Sequence, residues 1–543
     1  MRYHAAIPYF YDSLRVDAQV GLVPAQRGKQ QMRKLLWVSC AAAVVAAVAF
    51  VPRVLADEDL DWGLLVQQQL NDRSEHLFGV GTPLRNSALG PFTTPDSVNA
   101  IRVARGLSVS LVSSAVMPNA DMIVLWPSDS HPTHLFVCIE NSSNAVVQRV
   151  DLAGNPASNV TTILSGIVSC DPIRRTPWGS LLAGEESTDG GTYEILDPLS
   201  ITTAVAVTNR AAGVTSDPTH VVKRKALGQL AWEGNPIFPD GTVVFGDELR
   251  PGNGNPGGAI YKFVPDFPYG GSGVITSPSA SPLASGQLYG LKVGSTGDNG
   301  QGTEIGQGIW AAIDEAAITD ANGNIVLRTA QSTLKLTGYY RPEDMEIDPI
   351  ARSNDEARVC WTATGRMSNG GGSVEETGSI YGEIMCLTDE PDTAASSGAI
   401  PTVRRFFGGS PQFNFFDNLA FQPHTGNLAV TEDGEVEVVK EDGTTELRGN
   451  DILFCLPDGD DYDVQTDGCI RIASLRDTAS EPTGIIFTGS GESLILSLQH
   501  RSGGVGALIK ISGFQVRRHK RDRDRDDDGF GRPWNWKSKE HHH

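Results

Sequence analysis

One short phrase recurs along this chain: a glycine, an apolar run of strand length, then a pair of acids. Gly179-Ser-Leu-Leu-Ala-Gly-Glu185-Glu186 is one copy, Gly241-Thr-Val-Val-Phe-Gly-Asp247-Glu248 a second, and Gly426-Asn-Leu-Ala-Val-Thr-Glu432-Asp433 a third. His134-Leu-Phe-Val-Cys-Ile-Glu140-Asn141 is a weaker relative, without the glycine and with one carboxylate. A strand-length run that follows a turn signal and is repeated at intervals points to an all-β chain built by radial repetition, a β-propeller. Strands repeated around an axis deliver their terminal acids to one central place. Carboxylates gathered there cannot all stay ionised without cations, so the pattern predicts a metal centre. Any single copy fits an ordinary acidic turn equally well; three doubled copies favour metal.

The 59 glycines and 31 prolines suit many short strands joined by turns. From 101 to 515 strand-like runs alternate with turn residues without a clean linker, which reads as one domain. Residues 57–100 read as an N-terminal strap with a short helix over 62–70. Residues 516–543, with the mixed-charge run from Arg517 to Asp528, read as a solvated tail. At the start, Arg33-Lys34 precede an apolar stretch (35–51) that ends in Val54-Leu55-Ala56, the order of a signal peptide cut after Ala56. Residues 1–56 are therefore an extension plus a signal, and the mature protein is expected outside the cytoplasm, in the periplasm or beyond, without a stable membrane span. A formal net charge of −21 excludes nucleic acid and anionic membrane as partners. It would also repel an anionic substrate unless bound cations reverse the local field.

Seven cysteines are present, and Cys40 leaves with the signal. Export permits disulfides among the other six. Cys455 and Cys469 flank an acidic loop and would staple a hairpin; Cys360 and Cys386 sit on apolar runs and would bridge neighbouring strands. Cys138 and Cys170 are left, either to pair or to leave Cys170 free for a metal.

Several separated phrases follow in order: Ser169-Cys170 running to Thr176-Pro177-Trp178-Gly179, Trp232-Glu233-Gly234, Gly246-Asp247-Glu248, Tyr261-Lys262-Phe263-Val264, Arg341-Pro342-Glu343-Asp344, Phe416-Asp417-Asn418-Leu419, Glu481-Pro482-Thr483-Gly484 and Gln499-His500. In this order they resemble the PhoX-type alkaline phosphatases across roughly residues 100–505. The resemblance implies a six-bladed propeller with a central site of Fe³⁺ and Ca²⁺ that hydrolyses phosphate monoesters. It implies that Cys170 is an iron thiolate, that Glu233 and Glu343 are iron-site carboxylates, and that Arg341 holds the phosphate. Glu140, Glu185, Glu186, Asp417, Glu432 and Asp433 become candidates for the remaining metal positions. Two departures stand out: the family usually has His where this chain has Trp232 and Ile139, and Arg33-Lys34 is not the twin arginine of its usual export signal.

The residue types agree with that chemistry. Thiolate and carboxylate suit ferric iron, calcium takes hard oxygens, and an arginine fork matches phosphate. The expected function is a secreted, metal-dependent phosphomonoesterase acting on small phosphate esters. Two alternatives compete: a calcium-dependent lactonase or esterase, which needs neither Cys170 nor Arg341, and a non-catalytic propeller scaffold that keeps calcium for stability.

Overall fold

The computed structural model describes residues 62–516 apart from 91–92, 95, 252–255, 272, 295–304, 352–356, 366–380, 390–399, 411, 435, 440–444 and 458–467. The expected signal segment, the start at Asp57, the charged tail beyond residue 516 and the acidic loop between Cys455 and Cys469 lie outside the described residues. The expected helix is present as Trp62–Asp72. Among the described residues no helix is long and apolar enough to cross a membrane.

The chain is mostly β, arranged as antiparallel meanders. One sheet runs outward from Ala120–Trp126 through His134–Ile139 and Ala145–Asp151 to Val160–Ile167. The next runs from Cys170–Arg175 through Ser180–Glu185 and Thr192–Leu196 to Val221–Lys223. An eight-stranded sheet joins two meanders, Val243–Gly246 to Gly306–Ala312 and Pro342–Ile347 to Thr402–Gly408, at their last strands. Phe416–Phe421, Leu428–Glu432, Asp451–Cys455 and Cys469–Leu475 follow, then Glu481–Phe487, Ser493–Gln499 and Ala507–Ser512. The last two sheets are completed from the other end of the chain. Ile101–Val103 pairs with Cys469–Leu475, and Ser108–Ser113 pairs with Ala507–Ser512.

Sheets covered on both faces need apolar residues on both, so strands such as Ser180–Glu185 and Asp451–Cys455 are buried throughout. The core is divided into clusters between successive meanders. Phe136 and Val147 meet Ile173, Leu181 and Tyr193, and Trp178 and Leu182 meet Trp232, Phe245 and Tyr261. Ile260 and Leu291 meet Met345 and Trp361, and Ile384 and Phe406 meet Leu419 and Leu453. Phe454 and Ile472 meet Leu496 and Ile509. Finally, Ile495 and Leu508 of the last meander pack against Ile123, Leu135 and Val137 of the first.

Cys360 lies directly opposite Cys386 and Cys455 opposite Cys469 on paired strands, and both pairs are disulfides, as expected. The third expectation is corrected: Cys170 is not free but is bonded to Cys138. Both cysteines lie wholly buried in the cluster between the first two meanders, so no thiolate is offered to a metal.

Candidate metal centre

The innermost hairpins share one register. Ala120 pairs with Ile139, Cys170 with Glu185, Pro342 with Ala363, Phe416 with Glu432, and Glu481 with Gln499. Trp232 makes the same pairing with Asp247 as an isolated bridge. One residue further along the inner strand stand Asp121, Asp171, Glu233, Glu343 and Asp417. One residue beyond the partner strand stand Glu140, Glu186, Glu248 and Asp433. The acids are therefore delivered by equivalent positions of successive hairpins.

A β-bulge directly follows four of these pairings, at Ala120/Ile123, Cys170/Ile173, Pro342/Met345 and Phe416/Leu419. Asp121, Asp171, Glu343 and Asp417 occupy these bulges, where an extra residue re-aims a side chain. Two residues before each acid the backbone is left-handed without glycine, at Asn119, Ser169, Arg341 and Phe415. Four strained positions in one register mark the place where the fold spends conformational energy on a site.

The acidic doublets divide their labour. Glu185 accepts from Arg210 (Nε to Oε1, 2.7 Å; Nη2 to Oε2, 3.2 Å) and from the Val168 and Gly191 amides. Asp247 accepts two 2.7 Å bonds from Arg328, which the helix Leu327–Leu334 carries. Glu432 accepts from Arg448 at 2.6 and 3.1 Å and from the Asn414 and Asp451 amides. The second acid of each doublet, Glu186, Glu248 or Asp433, lies among the inner-strand acids instead. Glu185 and Glu432, both expected as metal-position candidates, thus have their oxygens occupied by arginine and backbone donors.

The remaining acids shift one another. Burial, then the charge of Asp121, Glu186 and Glu140, pushes Asp171 well above the ordinary range. Burial, then Asp171, Glu343 and Glu186, does the same to Glu233. Glu186, Asp121, Asp417 and Glu481 are raised in the same way, each by burial first and by neighbouring carboxylates second. Glu186 is hydrogen-bonded to Glu140, and Glu481 to Asp433. Burial works against Asp433 too, yet its bond with Glu481 and the charge of Arg341 hold it below the usual value. Glu343 is raised to about 7 by burial, opposed by Arg341 and reinforced by Glu248. Acids held this close without cations must take up protons.

Arg341 is embedded among them. Its Nε donates to Glu248 Oε1 at 2.5 Å, and its Nη2 lies 2.9 Å from Glu343 Oε1 and 3.6 Å from Asp433 Oδ2. Thr364 Oγ1 donates to Glu343 at 2.8 Å, and Gln499 Nε2 to Glu140 at 2.8 Å.

Asp171, Glu186 and Glu233 each offer a carboxylate oxygen within 4.8 Å of the others, a spacing that a single cation can bridge. Asp171 Oδ1 and Glu233 Oε2 are buried without a hydrogen-bond partner among the described residues, a costly state unless a cation completes it. A carboxylate-held cation fits these residues; a cysteine-ligated iron does not, because the Cys170 sulfur is spent on Cys138. Asp121, Asp171, Glu248 and Glu481 were not among the site residues expected from sequence. Glu248 was legible as the second acid of a repeated phrase; the others had no such signal.

The meanders and the acid cluster define a mostly β protein with a centre able to bind metal. The chain belongs to the alkaline phosphatase PhoX family, whose model matches residues 173–502. It is accordingly a phosphoric monoester hydrolase of a metal-dependent family. Among solved structures it is similar to Pseudomonas fluorescens PhoX in complex with vanadate, described as a transition state analogue. That match has 18% identity and a TM-score of 0.54, and covers 80% of this chain and 100% of that one. A protein of unknown function from Dyadobacter fermentans (8%, TM-score 0.38, covering 77% and 100%) and the PQQ domain of pyranose dehydrogenase from Coprinopsis cinerea (12%, 0.33, 79% and 100%) are more remote. No curated protein matches the chain.

Proposed function

We propose that the phosphomonoesterase reaction takes place at the acid cluster, with Arg341 as the phosphate-holding group. The observation that carries this reading is Arg341 itself, an arginine inserted among carboxylates beside Glu343. Its guanidinium is only 16% exposed and faces three acids, Glu248, Glu343 and Asp433, rather than the single partner of an ordinary surface ion pair. A planar guanidinium matches two phosphoryl oxygens. Glu248 and Glu343 orient it through their ion pairs. Bound cations would neutralise the acids, polarise the phosphoryl oxygens and supply an activated water.

Calcium suits the oxygen-only donors, with Glu140, Glu186, Glu233, Glu343, Asp417 and Asp433 as candidate ligands from the expected set and Asp121, Asp171 and Glu481 added to them. Any ferric ion would likewise be held by oxygen. The order of the core clusters supports a six-bladed propeller around this cluster, closed by the N-terminal strands. Three disulfides support an oxidising compartment and hence export, with residues 1–56 as the leader. With Cys170 no longer a discriminator, Arg341 separates this reading from a calcium-dependent lactonase.

The test is hydrolysis of a chromogenic phosphate monoester by purified, metal-loaded protein at alkaline pH. Loss of turnover in Arg341→Ala with metal retained supports the reading. Hydrolysis undiminished in that variant would overturn Arg341's role.

A further inference from the structure

We propose that Asp171, not Cys170, is the ligand this inner strand gives to the centre, and that Asp171, Glu186 and Glu233 hold a hard cation with oxygen donors alone. The inference rests on reading the cluster as a metal centre and adds what one of its sites is made of.

Two independent observations converge on it. The first is phase. Cys170 pairs across its hairpin at the position held in four other hairpins by Ala120, Trp232, Pro342 and Phe416, all buried, and by an acid in the last hairpin alone, Glu481. Its place in the repeat is that of a core residue, and its sulfur is in the core, bonded to Cys138. Asp171 falls one residue later, in phase with Asp121, Glu233, Glu343 and Asp417, on the bulge that turns a side chain inward. A ligand is therefore offered from the usual slot, and it is an oxygen ligand.

The second observation is the unmet oxygens. Asp171 is 7% exposed and Glu233 2% exposed, and each keeps one carboxylate oxygen with no partner among the described residues. One oxygen from each, together with one from Glu186, lies within 4.8 Å of the other two. That is up to twice the roughly 2.4 Å length of a calcium–oxygen bond and encloses the shorter bonds of other hard ions. Softness then sets selectivity. Without sulfur the site has no preference for thiophilic metals and suits hard cations such as Ca²⁺, Mn²⁺ or Fe³⁺.

The experiment uses the purified protein without reductant, stripped with chelator and reloaded separately with Ca²⁺, Mn²⁺ or Fe³⁺. Three readouts besides turnover decide it. Alkylation after unfolding should find no free thiol at Cys170. The Fe³⁺-loaded protein should lack the intense visible band of thiolate-to-iron charge transfer. Asp171→Asn should bind one ion fewer per chain, or bind the weakest ion at least tenfold less tightly, whereas Cys138→Ala/Cys170→Ala should keep the wild-type stoichiometry. If the double variant fails to fold, the first two readouts on unmodified protein still decide. A charge-transfer band, a free Cys170 in loaded protein, or full stoichiometry at wild-type affinity in Asp171→Asn would each overturn the proposal. Metal bound as expected by a protein that hydrolyses no phosphate ester would instead defeat the phosphatase centre and leave this site standing.

Discussion

Glu185 and Glu186 are neighbours in the chain that face opposite ways: Glu185 is clasped by Arg210, whereas Glu186 shares a cluster with Asp171 and Glu233. Asp247 and Glu248 repeat the arrangement through Arg328 and Arg341, and Glu432 and Asp433 through Arg448 and Arg341. One acid of each doublet pins a hairpin end to an arginine delivered from another segment, which frees the next to point inward. The pins keep a crowd of like charges in place.

That division predicts opposite phenotypes for adjacent residues. Arg448→Met leaves Glu432 buried and unpaired, in a pair whose two side chains are 5% and 1% exposed. Breaking such a pair costs about 3–5 kcal/mol, so denaturant unfolding should shift by that order while metal content per folded chain is unchanged. Asp433→Asn should do the reverse, lowering metal content with a small effect on the metal-free protein. Equal stability loss in the two variants would remove the distinction.

The metal-free protein should lose stability as pH rises. Glu343 is raised from 4.5 to about 7, mainly by burial. Below about pH 4.5 it is protonated in both folded and unfolded chains, and its contribution is fully present. Between 4.5 and 7 the unfolded chain ionises first, so stability falls, by roughly 3 kcal/mol for a shift of this size, and levels off above 7. Asp121, Asp171, Glu186, Glu233, Asp417 and Glu481 act in the same direction. Urea titrations across pH 4 to 8 in chelator should show the decline, and saturating calcium should flatten it.

Much of this was legible because the repeated phrase marks the second strand of the innermost hairpins. Its glycines and apolar runs gave the all-β reading, and its acids located the centre. Which acid of a doublet points inward was not legible, because nothing in the phrase marks the partner arginines, which lie on other elements: Arg328 is on a helix and Arg448 on the hairpin that follows Glu432. Asp121 and Asp171 escaped notice for a different reason. Their marker is a left-handed residue two places earlier, and Asn119, Ser169, Arg341 and Phe415 share no side-chain chemistry that could announce it. Cys170 went wrong where resemblance to a family outweighed the plain option of pairing with Cys138.

Calcium should stabilise the fold as well as the reaction. Ions that bind only the folded chain add RT ln(1 + [L]/Kd), about 2.7 kcal/mol at a hundredfold excess over Kd for each site. Melting in chelator should therefore occur well below melting in millimolar calcium, and the gap should shrink in Glu233→Gln. A melting temperature that does not respond to calcium would argue against a shared centre.

Arg341 offers the sharpest functional test, because it touches acids on three segments yet sits outside the apolar clusters. Its neighbours Glu248, Glu343 and Asp433 are tied to it, so Arg341→Ala removes the positive charge that offsets them. Metal affinity should hold or rise, since the acids gain nothing else to neutralise them. Turnover should fall about 10²–10³-fold, the usual loss when a charge-bearing contact to a developing phosphoryl oxyanion is deleted. Arg341→Lys keeps the charge but not the planar fork, so it should recover binding more than turnover, with KM near wild type and kcat still depressed. Inorganic phosphate as a competitive inhibitor supplies the control: its Ki should weaken in Arg341→Ala and partly return in Arg341→Lys. A Ki unchanged across the series would show that phosphate does not meet this residue, whatever happens to kcat.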